Sequence, residues 1–244
     1  MNFKPIILPL CFLMAACTTM IVGPYDFTYV PVDAGTFEIA TWQHLTNASD
    51  PVHIYIEGDG YAFDRHGRPT RNPTPRTHFM RNLASRDDAT NVIYMARPCQ
   101  YIRGPNCDVS DWTNGRFSND VIKSMYTAVK TVAKGRPIVF IGYSGGGFVS
   151  GALIKKYPDL NVKKWVTVAG VLNHADWTEY FDDAPLNKSI TMNGLPHIDQ
   201  LHYIADGDTV VPNHLSRKWA HPSDIVVVPN ARHDSFPGLE PDLN

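Results

Sequence analysis

A chain of 244 residues, 43% hydrophobic and 19% charged, is long enough for one sizeable α/β domain and short for two. Its net charge of −2 and the lack of an acidic or basic tail give a nucleic acid nothing to hold. No His-Glu-x-x-His motif or clustered Cys/His spacing occurs, so neither a metal nor a cofactor is expected.

The chain opens on Lys4, an apolar run Ile6–Ala16 too short to span a bilayer, and the small residues Ala15 and Ala16 just before Cys17. This resembles a bacterial lipoprotein signal, although Met14 stands where a leucine is usual. The resemblance implies cleavage after residue 16, lipidation of Cys17, and a mature single domain over 17–244 held at a membrane by its N-terminal lipid, facing the periplasm. An ordinary secretory signal is the alternative, and would leave the protein secreted. With Cys11 in the signal and Cys17 lipidated, Cys99 and Cys107 remain. Export implies an oxidising compartment, and their eight-residue separation, containing Gly104 and Pro105, can close a small loop. A Cys99–Cys107 disulfide is expected, with two free buried thiols as the alternative.

Next come two edge strands, Phe27–Val30 and Thr36–Gln43, joined by a turn at Asp33–Gly35, and a strand Val52–Glu57 ending in Gly58-Asp59-Gly60. A Pro- and Arg-rich loop leads to a helix near Arg76–Arg86, then a strand Asn91–Ala96 and the cysteine loop. Apolar Val121, Ile122, Met125, Val129 and Val132 recur at helical spacing and predict an amphipathic helix over Asn119–Ala133. Further strands are predicted at Lys164–Ala169, Gln200–Ala205 and Asp224–Val228, with a helix at His214–Ala220. Strands alternating with helices imply right-handed crossovers and a mainly parallel sheet. The interval Val171–Leu195 is either an insertion roofing a pocket, as a lid, or a plain surface connection.

The strongest signal lies at Ile138–Tyr157, where a β-branched apolar run passes through Gly142-Tyr143-Ser144-Gly145-Gly146 into a helical pattern. A serine on so sharp a turn needs neighbours without bulk two places to either side, and Gly142 and Gly146 supply them. At a helix start, its surroundings also favour a developing oxyanion. A serine hydroxyl is a weak nucleophile, so it needs a base and the base needs an orienting carboxylate. Asp206-Gly207-Asp208-Thr-Val-Val-Pro follows a later predicted strand, and of ten histidines only His233 follows the last one.

These features together, in the chain order Ser, Asp, His, resemble the α/β-hydrolase superfamily from Asp50 onward. The resemblance implies that fold, with Ser144 as nucleophile, His233 as base and Asp208 as orienting acid, Asp206 being the alternative acid. It implies an oxyanion hole formed by the N–H of Gly145 and by Asp59 or Gly60, on a loop where Glu57 replaces the family's usual histidine; Glu57 and Asp59 then either buttress that loop or cap it. The expected activity is hydrolysis of a small-molecule or lipid-like ester through an acyl-enzyme. Peptidase, acyltransferase and a non-catalytic envelope binding module are the alternatives. Tyr61, Tyr143 and Trp177 are candidates for an apolar acyl site, and Arg97 and Arg116 either bind an acidic substrate group or form ordinary salt bridges.

Overall fold

The computed structural model describes residues 27–244, so the signal segment and Cys17 lie outside the described residues. Eight strands form one sheet: β1 (Thr28–Asp33), β2 (Glu38–Leu45), β3 (Val52–Ile56), β4 (Asn91–Met95), β5 (Ile138–Tyr143), β6 (Val162–Val168), β7 (Asp199–Ala205) and β8 (Ile225–Val228). Their spatial order is β1-β2-β4-β3-β5-β6-β7-β8. β2 pairs antiparallel with β1 and β4, and all later pairings are parallel. Helices α1 (Phe79–Ala84), α2 (Asn119–Ala133), α3 (Gly145–Lys156), α4 (His174–Tyr180) and α5 (Asn213–Trp219) connect them.

The parallel centre is apolar because both of its faces are covered. Every residue of β4 and of β5 is buried. Period-two alternation sorts their side chains: Ile93 and Met95 of β4 join the core under α2 and α3, while Val92 and Tyr94 join a second core that holds Met80 and Leu83 of α1. In α2 the hydroxyl of Ser118 accepts from the N–H of Val121 at 3.3 Å, Asp120 lies in the first turn, and Lys134 closes the helix in the left-handed region. Trp165 of β6 is fully buried, and its indole N–H donates to the Ser150 hydroxyl of α3 at 2.8 Å.

Several boundaries differ from expectation. The first helix is Phe79–Ala84, shorter than Arg76–Arg86, β1 runs on to Asp33, and β2 covers Glu38–Leu45 in place of Thr36–Gln43. The helix α3 starts at Gly145, directly after Ser144, as the sharp turn implied. Cys99 and Cys107 form a disulfide with Cα atoms 5.7 Å apart. The interval after β6 holds α4 and then irregular chain up to β7.

His202 of β7 is fully buried, with Thr167 Oγ1 at 2.9 Å and Gln200 Oε1 at 3.1 Å from its ring nitrogens. Burial pushes its pKa down to about 4. Between an unfolded value near 6.5 and that native value, the unfolded chain binds a proton that the native chain refuses. This contribution to stability is therefore complete above pH 6.5 and is lost as pH falls toward 4, amounting to about 3 kcal/mol at full loss. Urea unfolding should show lower stability at pH 4.5 than at pH 7; equal midpoints and slopes would refute it.

Candidate active site

Ser144 sits between β5 and α3 at φ 50° and ψ −122°, a conformation costly for a residue with a Cβ. Its neighbours hold it there. The Ser144 N–H donates to the Val168 carbonyl at 3.1 Å, and its own carbonyl accepts from the N–H groups of Gly147 at 3.0 Å and Val171 at 2.9 Å. The turn is wedged against the end of β3. A Cβ added at Gly146 would collide with the Ile56 carbonyl oxygen and lie 2.6 Å from that of Glu57.

Three loops at the C-terminal edge of the sheet meet at this serine, the edge where parallel α/β sheets gather their functional groups. Asp208 follows β7. Its Oδ1 accepts from the N–H groups of Val210 and Val211, both at 2.8 Å, which turns Oδ2 toward Nδ1 of His233 at 3.0 Å. His233 follows β8 and presents Nε2 to Ser144 Oγ at 3.1 Å. Asp206 is placed otherwise: its Oδ2 accepts from the N–H of Asn230 at 3.0 Å, bracing the loop that leads to His233.

The loop after β3 forms the opposite wall. Glu57 is buried; its Oε1 accepts from the N–H of Gly58 at 2.9 Å and its Oε2 from the hydroxyl of Tyr94 at 2.7 Å. Burial pushes its carboxyl above the usual carboxylate range. Gly58 is held in turn, its carbonyl accepting from Gln100 at 2.9 Å. Asp59 packs on Gly145 so closely that a Cβ there would collide with Asp59 Oδ1. Its carboxylate is shared by two buried guanidiniums, Arg97 at Oδ1 and Arg116 at Oδ2, the latter at 2.8 Å. Burial alone would raise the Asp59 pKa, but Arg116 and Arg97 outweigh it and hold the carboxyl below its ordinary value. The N–H groups of Gly145, Asp59 and Gly60 donate to no other described residue, which leaves them for a ligand. Glu57 and Asp59 thus brace this loop, and Arg97 and Arg116 are the cations behind it.

The serine opens into a cavity of about 890 Å³. Tyr61, Tyr143 and Trp177 line it, together with Phe117, His174 and Leu186, which the sequence did not single out. Within the interval after β6, α4 is tied to the acid loop by the Trp177 indole N–H donating to the Val210 carbonyl at 2.6 Å. Sequence spacing holds no signal for His174, whose place on the wall comes from packing between Phe117 and Phe148.

No family model matches the sequence. No curated protein matches it either. Solved structures do match in shape. An α/β serine hydrolase without a lid from Xanthomonas campestris is similar at 13% identity and TM-score 0.55, over 87% of this chain and 88% of that one. A bromoperoxidase from Bacillus anthracis is similar at 12% identity and TM-score 0.59, over 85% and 93%. An α/β serine hydrolase homologue from Coxiella burnetii is similar at 15% identity and TM-score 0.52, over 85% and 89%. At such identities the likeness is one of fold, and the chain has the α/β-hydrolase fold.

Alanine at Gly146 would gain up to about 1 kcal/mol of helix propensity. Overpacking costs about 1–3 kcal/mol, and here the obstacle is β3 backbone, which cannot rotate aside. Gly146→Ala should therefore lower stability by a net of about 1 kcal/mol in urea unfolding. A variant as stable as the parent would show that the wedge does not constrain the turn.

Proposed function

We propose that this protein is a serine hydrolase that cleaves a carboxylic ester through an acyl-enzyme. The observation that carries the reading is the row Ser144 Oγ, His233, Asp208, hydrogen bonded at 3.1 and 3.0 Å on the wall of the cavity. His233 Nε2 takes the hydroxyl proton as Ser144 Oγ attacks the ester carbonyl, and Asp208 holds the imidazole in the tautomer that can accept it. The N–H groups of Gly145 and of Asp59 or Gly60 receive the oxyanion; one such donor is typically worth about 2.7–4 kcal/mol. His233 then gives the proton to the leaving alcohol. A water, deprotonated by the same imidazole, splits the acyl-enzyme into free acid and Ser144. The names of the structural neighbours, serine hydrolases among them, support the same chemistry.

A fluorophosphonate probe should label Ser144 in the wild type and nothing in Ser144→Ala. Asp208→Asn should slow ester turnover by about 10³–10⁴-fold through the wrong imidazole tautomer. Asp206→Asn, which touches only the loop backbone, should cost less than about tenfold. An unlabelled, folded wild type would overturn the reading, and equal losses in the two Asp variants would overturn the assignment of the acid.

The lipoprotein-like segment before Cys17 supports placement in a bacterial cell envelope, held by lipid and facing the periplasm. Metabolic labelling with a radioactive fatty acid should mark the wild type and fail on Cys17→Ser, which should leave the membrane fraction. Unlabelled wild type recovered as soluble periplasmic protein would refute the anchor.

A further inference from the structure

Behind the oxyanion loop, positive charge exceeds negative. Arg97 and Arg116 share one carboxylate, Asp59. The other acid here, Glu57, is pushed toward its neutral form by burial, while Arg81 adds a third guanidinium to its surroundings. Arg97 spends Nη2 on the Arg116 carbonyl. Arg116 differs in its Nη2: only its Nη1 meets a protein acceptor, while its buried Nε has none, as is also true of the Nε of Arg97 and of Arg81. Yet the residue is only 6% exposed and lies on the wall of the cavity. A buried guanidinium with donors unspent costs more than one fully bonded, because those donors have left water without replacement.

A second unspent polar atom stands beside it. His174 is 4% exposed and lines the same cavity. Its Nε2 faces the Ile190 carbonyl at 2.7 Å; a carbonyl only accepts, so Nε2 carries the hydrogen. Burial, with Arg116 adding to it, lowers the His174 pKa and keeps the ring neutral. Nδ1 is then a lone-pair acceptor, buried, with no protein partner. Both groups flank the ring of Phe117: the Arg116 guanidinium carbon lies 5.9 Å from its centroid, and the His174 ring stacks on it at 5.5 Å. The Trp177 ring borders the guanidinium at 5.6 Å. The wall therefore offers a cation whose Nη2 is unspent, in an aromatic frame, with the unpartnered His174 Nδ1 buried behind it. Arg116 reaches the reacting serine's neighbourhood through one carboxylate, since Asp59 bonds Arg116 and packs on Gly145.

We infer that Arg116, framed by Phe117, His174 and Trp177, forms a subsite for a carboxylate-bearing acyl chain, so that the ester cleaved is a half-ester of a short dicarboxylic acid. The inference rests on the ester-hydrolase reading above and names its substrate class. Arg116 meets the carboxylate through Nη2, a charge-assisted hydrogen bond from a guanidinium whose Nη1 stays on Asp59. An uncharged acyl chain of equal length leaves that donor unspent.

The test uses the full chain and matched ethyl esters followed by NMR: monoethyl succinate, glutarate and adipate against ethyl butanoate, pentanoate and hexanoate. In the wild type at least one half-ester should exceed its uncharged partner in kcat/KM by about tenfold or more. That ratio should collapse toward one in Arg116→Gln and recover only in part in Arg116→Lys. Ser144-dependent hydrolysis of the uncharged esters with no preference for any half-ester would overturn the subsite and leave the hydrolase standing. If nothing is hydrolysed and the fluorophosphonate does not label, the hydrolase reading has failed. Calorimetry with glutarate and adipate then decides the subsite: binding to the wild type that Arg116→Gln abolishes supports it, and no binding at millimolar dicarboxylate overturns it. The wild-type ratio and the calorimetry need no variant to fold.

Discussion

The close approach of two backbones, the first turn of α3 against the end of β3, governs everything else at this sheet edge. Gly146 lies where any side chain would strike the Ile56 and Glu57 carbonyls, so the helix start, the strand end and Ser144 are held in close contact with one another. The strained φ of Ser144 persists because hydrogen bonds to Val168, Gly147 and Val171 over-determine it. The same contact brings the loop after β3 beside the N–H of Gly145, so Ser144 and that loop are held by one piece of packing.

Around that wedge the polar groups form two chains that serve different ends. One runs Val210 and Val211 N–H, Asp208, His233, Ser144, and terminates on an atom that can react. The other runs Tyr94, Glu57, Gly58, Gln100 and ends on the backbone N–H of Arg97, so its effect is rigidity. Asp59 joins the second chain to the buried arginines, and its carboxylate stays ionised against burial only because two guanidiniums face it. Charge is thereby stored next to a cavity whose other walls are largely aromatic and aliphatic.

Much of the fold was legible because its periodicities are strong. β4, β5 and α2 could be read from apolar runs and helical spacing, since a strand covered on both faces must be apolar throughout and a helix covered on one face must be striped. Element ends were less legible: α1 is shorter than its stretch of favourable residues, and β1 and β2 run past the ends that alternation marked. At the site, the glycines around Ser144 announced the turn by their chemistry alone. Asp206 and Asp208 could not be separated by residue type: both are aspartates after one strand, and only the direction of each carboxylate, toward Asn230 N–H or toward His233, distinguishes them.

His174 and Arg116 mark the limit of reading along the chain. Nothing in their spacing places one beside the other; they meet because α4 and the loop before α2 both close over Phe117. The sequence by itself determined the order of strands and helices, the sharp turn at Ser144 and the residue types a triad needs, because these depend on local backbone freedom and on hydrophobic period. Tertiary structure alone decided which carboxylate faces His233, which guanidinium keeps unspent donors and which histidine nitrogen is left without a partner. Those outcomes depend on distances across loops far apart in sequence, set by how the sheet twists and how its helices pack.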